Sequence, residues 1–217
     1  MNGYNRGGFL NALPAVTRFV LIINVLIFIV NMFIPRNLEH YTLIDIYFSL
    51  YSIHPHPQLP FHFQPYQLIT HMFHHANFSH LFFNMFGLFM FGRVLETVIG
   101  SKKFFMLYFL SGLGAAALQL SVYYFQNSAA MMIGASGAIF GILAAFAVLF
   151  PNVELMIIFI PIPIKAKYLL PVYALLTLIF GIAGFSWDNI AHFAHLGGGI
   201  VGFILVMIWK RNRFKIY

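Results

Sequence analysis

Residues 132–141 read MIGASGAIFG, and the fold is decided by what Ser136 is doing there, with Gly134 before it and Gly137 after it. An apolar run continues from this point to Phe150. One reading is packing, because small residues let membrane helices approach closely. The other is chemistry, with a hydroxyl held at the start of a buried helix. The rest of the chain decides between them.

The chain has 217 residues, 61% hydrophobic and 18% aromatic, with 8% charged. Soluble domains carry about 25% charged residues. This composition reads as an all-α, multi-pass membrane protein with the lipid bilayer as solvent and one domain over 1–217. There are no cysteines, which excludes disulfides, a thiolate nucleophile and Cys-ligated metal. The net charge of +7 is scattered at the ends of apolar stretches. It therefore reads as topology signals and not as a nucleic-acid surface.

A hydrocarbon core of about 30 Å needs roughly 20 apolar helical residues. Six stretches qualify as spans: about 17–34, 80–99, 104–125, 136–150, 168–183 and 190–209. Pro35 and Pro151 stop the first and the fourth. The first has no small-residue cleavage site and is read as retained. Arg6 and Arg18 precede span one, and Arg93, Lys102 and Lys103 lie around the turn from span two to three. Lys165 and Lys167 lie between spans four and five, and Lys210, Arg211, Arg213 and Lys215 follow span six. The opposite side holds only Arg36. The positive-inside rule then puts both termini in the cytoplasm. Loop one, about 35–79, and the loops between spans three and four and five and six face outward.

On that frame His80 and Asn84, four apart on one helix face, fall at the outer end of span two. Ser136 falls at the outer end of span four, and His192 and His195 in the first turns of span six. Loop one adds His71, His74 and His75 at the same level, whereas Arg93 and Glu96 belong to the inner end. Each residue alone has an ordinary packing or interfacial role. Convergence at one depth points to function, because intramembrane polar groups are expensive.

Span four, at about 1.5 Å per residue, is roughly 22 Å long and starts below the outer surface. The preceding NSAAMMIGA (127–135) is then irregular backbone, tolerated only where protein buries it or it lines a watery cavity. Gly134 and Gly137 permit the tight turn. The helix start leaves unpaired N–H groups and a positive dipole end, suited to a developing oxyanion. In span six, AHLGGGIVG (194–202) puts His195, Gly198 and Gly202 on one face. Opposite stand Gly137, Gly141, Ala144 and Ala145 of span four, so the two backbones can come close. His192 and His195 are three apart, and helical geometry does not separate them as a base. The deeper position of His195, on the glycine face, favours it and leaves His192 either behind the reacting groups or facing water near the mouth.

These motifs resemble the rhomboid family of intramembrane serine proteases. GASG (134–137) is one match, and AHLGGGIVG fits A-H-x-x-G-x-x-x-G. HHANFSHLFFN (74–84) fits H-x-x-x-x-H-x-x-x-N from His75 through His80 to Asn84, and GRVLE (92–96) also fits. The resemblance implies a six-helix bundle with Ser136 as nucleophile and His195 as general base. It implies an oxyanion hole of His80, Asn84 and the Ser136 N–H, supported by His75, Gly134, Gly137, Gly198 and Gly202. It implies no metal and no cofactor. The substrate would be a transmembrane segment of another protein, cut near its outer end, with the active site opening to the outer side of a bacterial cytoplasmic membrane. Many members carry Trp-Arg before the first histidine, where this chain has Tyr66 and Gln67. Asp188 reads as a loop residue, leaving a Ser–His dyad. Loop one's YSIHPHPQLPFHFQPYQ (51–67) reads as an interfacial segment beside the cavity.

Two rival readings remain. An inactive rhomboid-like protein would bind membrane clients without cutting them. A metal-dependent membrane protein would use the ten histidines, but the chain has no H-E-x-x-H and no acid at the outer span ends. An intramembrane aspartyl protease is excluded, since no aspartate pair lies within the spans.

Overall fold

A computed structural model describes residues 12–38, 40–157, 160–183 and 191–213. Helix α1, Ala15–Phe33, begins after Pro14, whose extended backbone sets the entry direction. No side chain near α1 in sequence caps it. Glu96 does so instead, accepting from the N–H groups of Val16 and Thr17 at 2.9 and 2.7 Å. The hydroxyls of Thr17 and Ser101 donate to the same carboxylate at 2.7 and 2.6 Å.

Loop one is folded. It holds α2, Leu43–Phe48, strand β1, Leu50–Tyr51, helix α3, Gln67–Thr70, and a 3₁₀ turn, His71–Phe73. Asn77 then opens α4, Phe78–Gly87, by accepting the His80 N–H at 2.9 Å. A π-helical turn, Leu88–Gly92, joins α4 to α5, Arg93–Ile99. Helix α6, Ser101–Gln126, ends on Asn127 in the left-handed region. Strand β2, Met131–Met132, leads to α7, Ser136–Leu149. Strands β3, Glu154–Ile157, and β4, Ile160–Lys165, precede α8, Ala166–Ala183, and α9, His192–Arg213.

Among the described residues, five helical segments are long and apolar enough to cross a membrane: Ala15–Phe33, Phe78–Ile99, Ser101–Gln126, Ala166–Ala183 and His192–Arg211. Helix α7, with 14 residues, spans only about 21 Å. It is shorter than the others because it is the inner helix, with Gly137, Ala138, Ile139, Gly141, Ile142, Ala145 and Phe146 all buried. Between apolar helices in lipid, packing replaces the hydrophobic effect as the source of association. Here glycine provides it. A methyl group at Gly198 would fall on the Gly137 carbonyl oxygen, and one at Gly202 on that of Gly141. Gly137 in turn meets the Ala115 methyl of α6. The three backbones are therefore closer than any side chain at these positions would allow.

One feature differs from the sequence expectation, and a second was not foreseen. The segment before Ser136 is not wholly irregular, because β2 pairs antiparallel with β1 through Leu50↔Met132 and Tyr51↔Met131. The Ser52 N–H extends the ladder to the Ala130 carbonyl at 3.0 Å. Backbone groups buried at this level need partners, and loop one supplies them. The connection between α7 and α8 is a hairpin, with Glu154 opposite Lys165 and a register shift at Met156/Ile157.

Candidate active site

The loop ahead of Ser136 is bent at Gly134, whose φ of +110° disfavours any side chain. The conformation is held from outside. The Gly134 N–H donates to the His71 carbonyl at 2.8 Å. The Ala135 N–H points at His75 Nε2, 3.5 Å away. A Cβ at position 134 would lie 2.6 Å from His80 Nε2, so the absent side chain makes room for that ring. Ser136 follows as the first residue of α7, where the backbone N–H has no partner within its own helix.

His195 lies across from it in the first turn of α9, 8% exposed, with Nε2 2.8 Å from Ser136 Oγ. With the ring proton on Nδ1, Nε2 is the acceptor and the hydroxyl the donor. Phe140, one turn along α7 from Ser136, stacks flat on the imidazole, with centroids 4.2 Å apart and planes 7° from parallel. The start of α9 is fixed from α6, where Gln119 Oε1 accepts the Ala194 N–H at 3.1 Å. His192 is elsewhere. Its ring stacks on Phe180 at 5.8 Å and stands 6.3 Å from that of His195.

His80 and His75 meet edge to face at 5.0 Å beside this loop. Asn84 is buried one turn further along α4, where Nδ2 donates to the His80 carbonyl at 2.9 Å. Its amide carries a second hydrogen. Burial pushes the His71 imidazole down to about 4, partly offset by its bond to the Gln67 carbonyl. Burial, followed by the neighbouring His80 and His74, pushes His75 down to about 3. Both rings under the loop are therefore neutral near neutral pH.

The structure thus brings Ser136, His195, His75, His80 and Gly134 to one place. Gly137, Gly198 and Gly202 form the α7–α9 contact beside it, Asn84 lies one turn away, and His192 stands apart. Asp188 lies outside the described residues. Sequence reasoning missed Gln119 and Phe140. The signal for Gln119 was present, since Ser111 and Gln119 are polar residues on one face of an apolar span. Tyr66 is exposed, and Gln67 is a buried staple. Gln67 Oε1 accepts from the N–H groups of Gln64 at 3.0 Å and Tyr51 at 3.4 Å, and Nε2 donates to the His62 carbonyl at 3.4 Å. An apolar groove of about 400 Å³ runs between α7, α8 and α9 from Phe140 and His195 past Ala144 and Pro171 to Lys167. Among the described residues no three His, Asp or Glu side chains converge as a metal site would require.

Residues 62–212 match the family model described as the Rhomboid domain. The chain is 31% identical over 187 residues to Rhomboid protein 1, mitochondrial, of Saccharomyces cerevisiae, covering 77% of this chain and 52% of the relative. It is 31% identical over 173 residues to Rhomboid-like protein 11, chloroplastic, of Arabidopsis thaliana, covering 76% and 57%. It is 32% identical over 153 residues to the Putative rhomboid protease YdcA of Bacillus subtilis, covering 70% of each. The chain spans little more than half the length of the first two. Because relatives come from a bacterium, a mitochondrion and a plastid, a bacterial membrane does not follow from them.

Proposed function

The chain belongs to the rhomboid family, and we propose that it is an intramembrane serine endopeptidase working through a Ser136–His195 dyad. The observation that carries this reading is the 2.8 Å bond between Ser136 Oγ and His195 Nε2 at the start of a short inner helix. The substrate is a transmembrane segment of another membrane protein, cut near its outer end. "Outer" means the face opposite the Lys- and Arg-rich ends, with six spans, α7 included, and both termini on the basic side. A single domain over 1–217 carries the activity.

The chemistry follows from the groups present. His195 removes the Ser136 proton as Oγ attacks the scissile carbonyl carbon. The carbonyl oxygen becomes an oxyanion, met by the Ser136 N–H, by His80 and by the second hydrogen of the Asn84 amide. His195 then passes its proton to the leaving amine, and the acyl group stays on Ser136 Oγ. Water, deprotonated by the same imidazole, attacks that ester; the imidazolium returns its proton to the departing Ser136 Oγ, and the new carboxylate is released. Phe140 fixes the plane of the ring, and Gln119 fixes the helix end that carries it.

The test is Ser136→Ala in proteoliposomes with a transmembrane reporter. Cleavage is expected to disappear, together with labelling by a serine-directed fluorophosphonate, while the variant inserts and melts like the parent. Turnover near the parent's rate would remove the serine-protease reading.

A further inference from the structure

Loop one carries a polar pair that the chemistry above does not use. Asp45 lies in the first turn of α2 and closes a capping box. Its Oδ2 accepts the Thr42 N–H at 2.8 Å, and its own N–H donates to Thr42 Oγ1 at 3.0 Å. The other oxygen, Oδ1, accepts from Asn31 Nδ2 at 3.2 Å, at the end of α1, and lies 3.2 Å from His74 Nε2. Arg36 Nη1 stands 3.9 Å from Oδ2. Burial works against the Asp45 carboxylate, but the bonds from His74, Thr42 and Asn31 outweigh it and hold the group well below the usual carboxylate range. Asp45 is therefore ionised, and His74 is 3% exposed, with no hydrogen-bond partner at Nδ1 among the described residues. The orientation of this buried ring thus rests on Asp45. His74 belongs to the strap 71–75, whose His71 carbonyl holds the Gly134 N–H and whose His75 ring faces the Ala135 N–H.

We propose that the Asp45–His74 pair positions the catalytic loop: it fixes the strap 71–75 and, through it, the backbone of Gly134 and Ala135 that presents Ser136. Neither residue touches substrate. The effect on rate rests on the dyad reading above, whereas the effect on the backbone does not. Asp45 also joins three pieces of chain, α1 through Asn31, α2 through Thr42 and the strap through His74.

The experiment is amide hydrogen exchange in nanodiscs on the full chain, comparing the parent with Asp45→Asn, His74→Gln and the double variant. Exchange at Gly134 and Ala135 is expected to rise roughly tenfold in each single variant while the middle of α6 stays as slow as in the parent. The double variant is expected to be no faster than either single one, because the two side chains act as one unit. Fluorophosphonate labelling of Ser136 is expected to slow in parallel. Unchanged exchange at both amides overturns the proposal. So does equal acceleration along α6, which marks general loss of stability, or additivity in the double variant. Faster exchange in variants of a parent whose Ser136 never reacts supports the strap assignment and sinks the dyad reading instead.

Discussion

At the level of single residues, His195 and His192 provide the sharpest contrast. Both are histidines of the first turn of α9, yet only His195 reaches the hydroxyl, whereas His192 packs on Phe180. General-base catalysis contributes roughly a hundredfold to ten-thousandfold, so His195→Ala is expected to leave almost no activity and His192→Ala a readily measured fraction. Initial rates on one reporter, at equal amounts of folded protein, decide it. A dead His192→Ala beside an active His195→Ala would reassign the base. The sequence narrowed the base to these two side chains, and the glycine pattern favoured the deeper one. Gln119 stood out as a polar residue in an apolar span, but its role did not, because the amide it caps lies 75 residues downstream and no local pattern couples the two.

Between helices, the decisive contact is glycine on glycine. Inserting a methyl group at position 198 drives it onto the Gly137 carbonyl, and overpacking of this kind costs about 1–3 kcal/mol. Gly198→Ala is expected to lower the thermal midpoint and to slow Ser136 labelling together, since the same contact sets the Ser136–His195 distance. A Gly198→Ala protein with parental midpoint and parental labelling would show that α7 and α9 tolerate separation. The strap 71–75 has a different sensitivity. In the folded chain His71 and His75 take up a proton only near 4 and 3, against 6.5 for the free side chain. Between these values the unfolded chain holds more protons, so stability is complete above about 6.5 and is lost as pH falls through that window. The depressed Asp45 carboxylate adds its own loss only below about 4. Thermal midpoints in nanodiscs are expected to drop between about pH 7 and pH 4.5, less so in His75→Gln; identical midpoints would count against neutral buried rings. Helix positions were readable because apolar runs end at Pro35, Gly100 and Pro151. The fold of loop one and the β3–β4 hairpin were not, because the loop's short pieces are held by distant partners and the hairpin's apolar residues merge with the neighbouring spans.

For the molecule as a whole, the orientation is open to direct mapping, because the chain has no cysteine to interfere. Lys102→Cys and Lys167→Cys are expected to react with an impermeant maleimide from one face of a sealed vesicle and Gln58→Cys from the other. Labelling of all three from the same face would overturn the alternating arrangement of spans. Composition was enough to indicate a helical membrane protein, and the ordered motifs were enough to indicate the family. What they left open was how α1 is fastened. The carboxylate that caps α1 belongs to Glu96, 80 residues after Val16. Proteins are made from the N-terminus at roughly 5–20 residues per second, so α1 leaves the ribosome about 4–16 seconds before its cap exists. During that interval the leading amides of α1 lack the partner they have in the folded chain. Arrival of Glu96, followed by Ser101, closes that end. The start of α1 is thus secured only once α5, which carries Glu96, has been made.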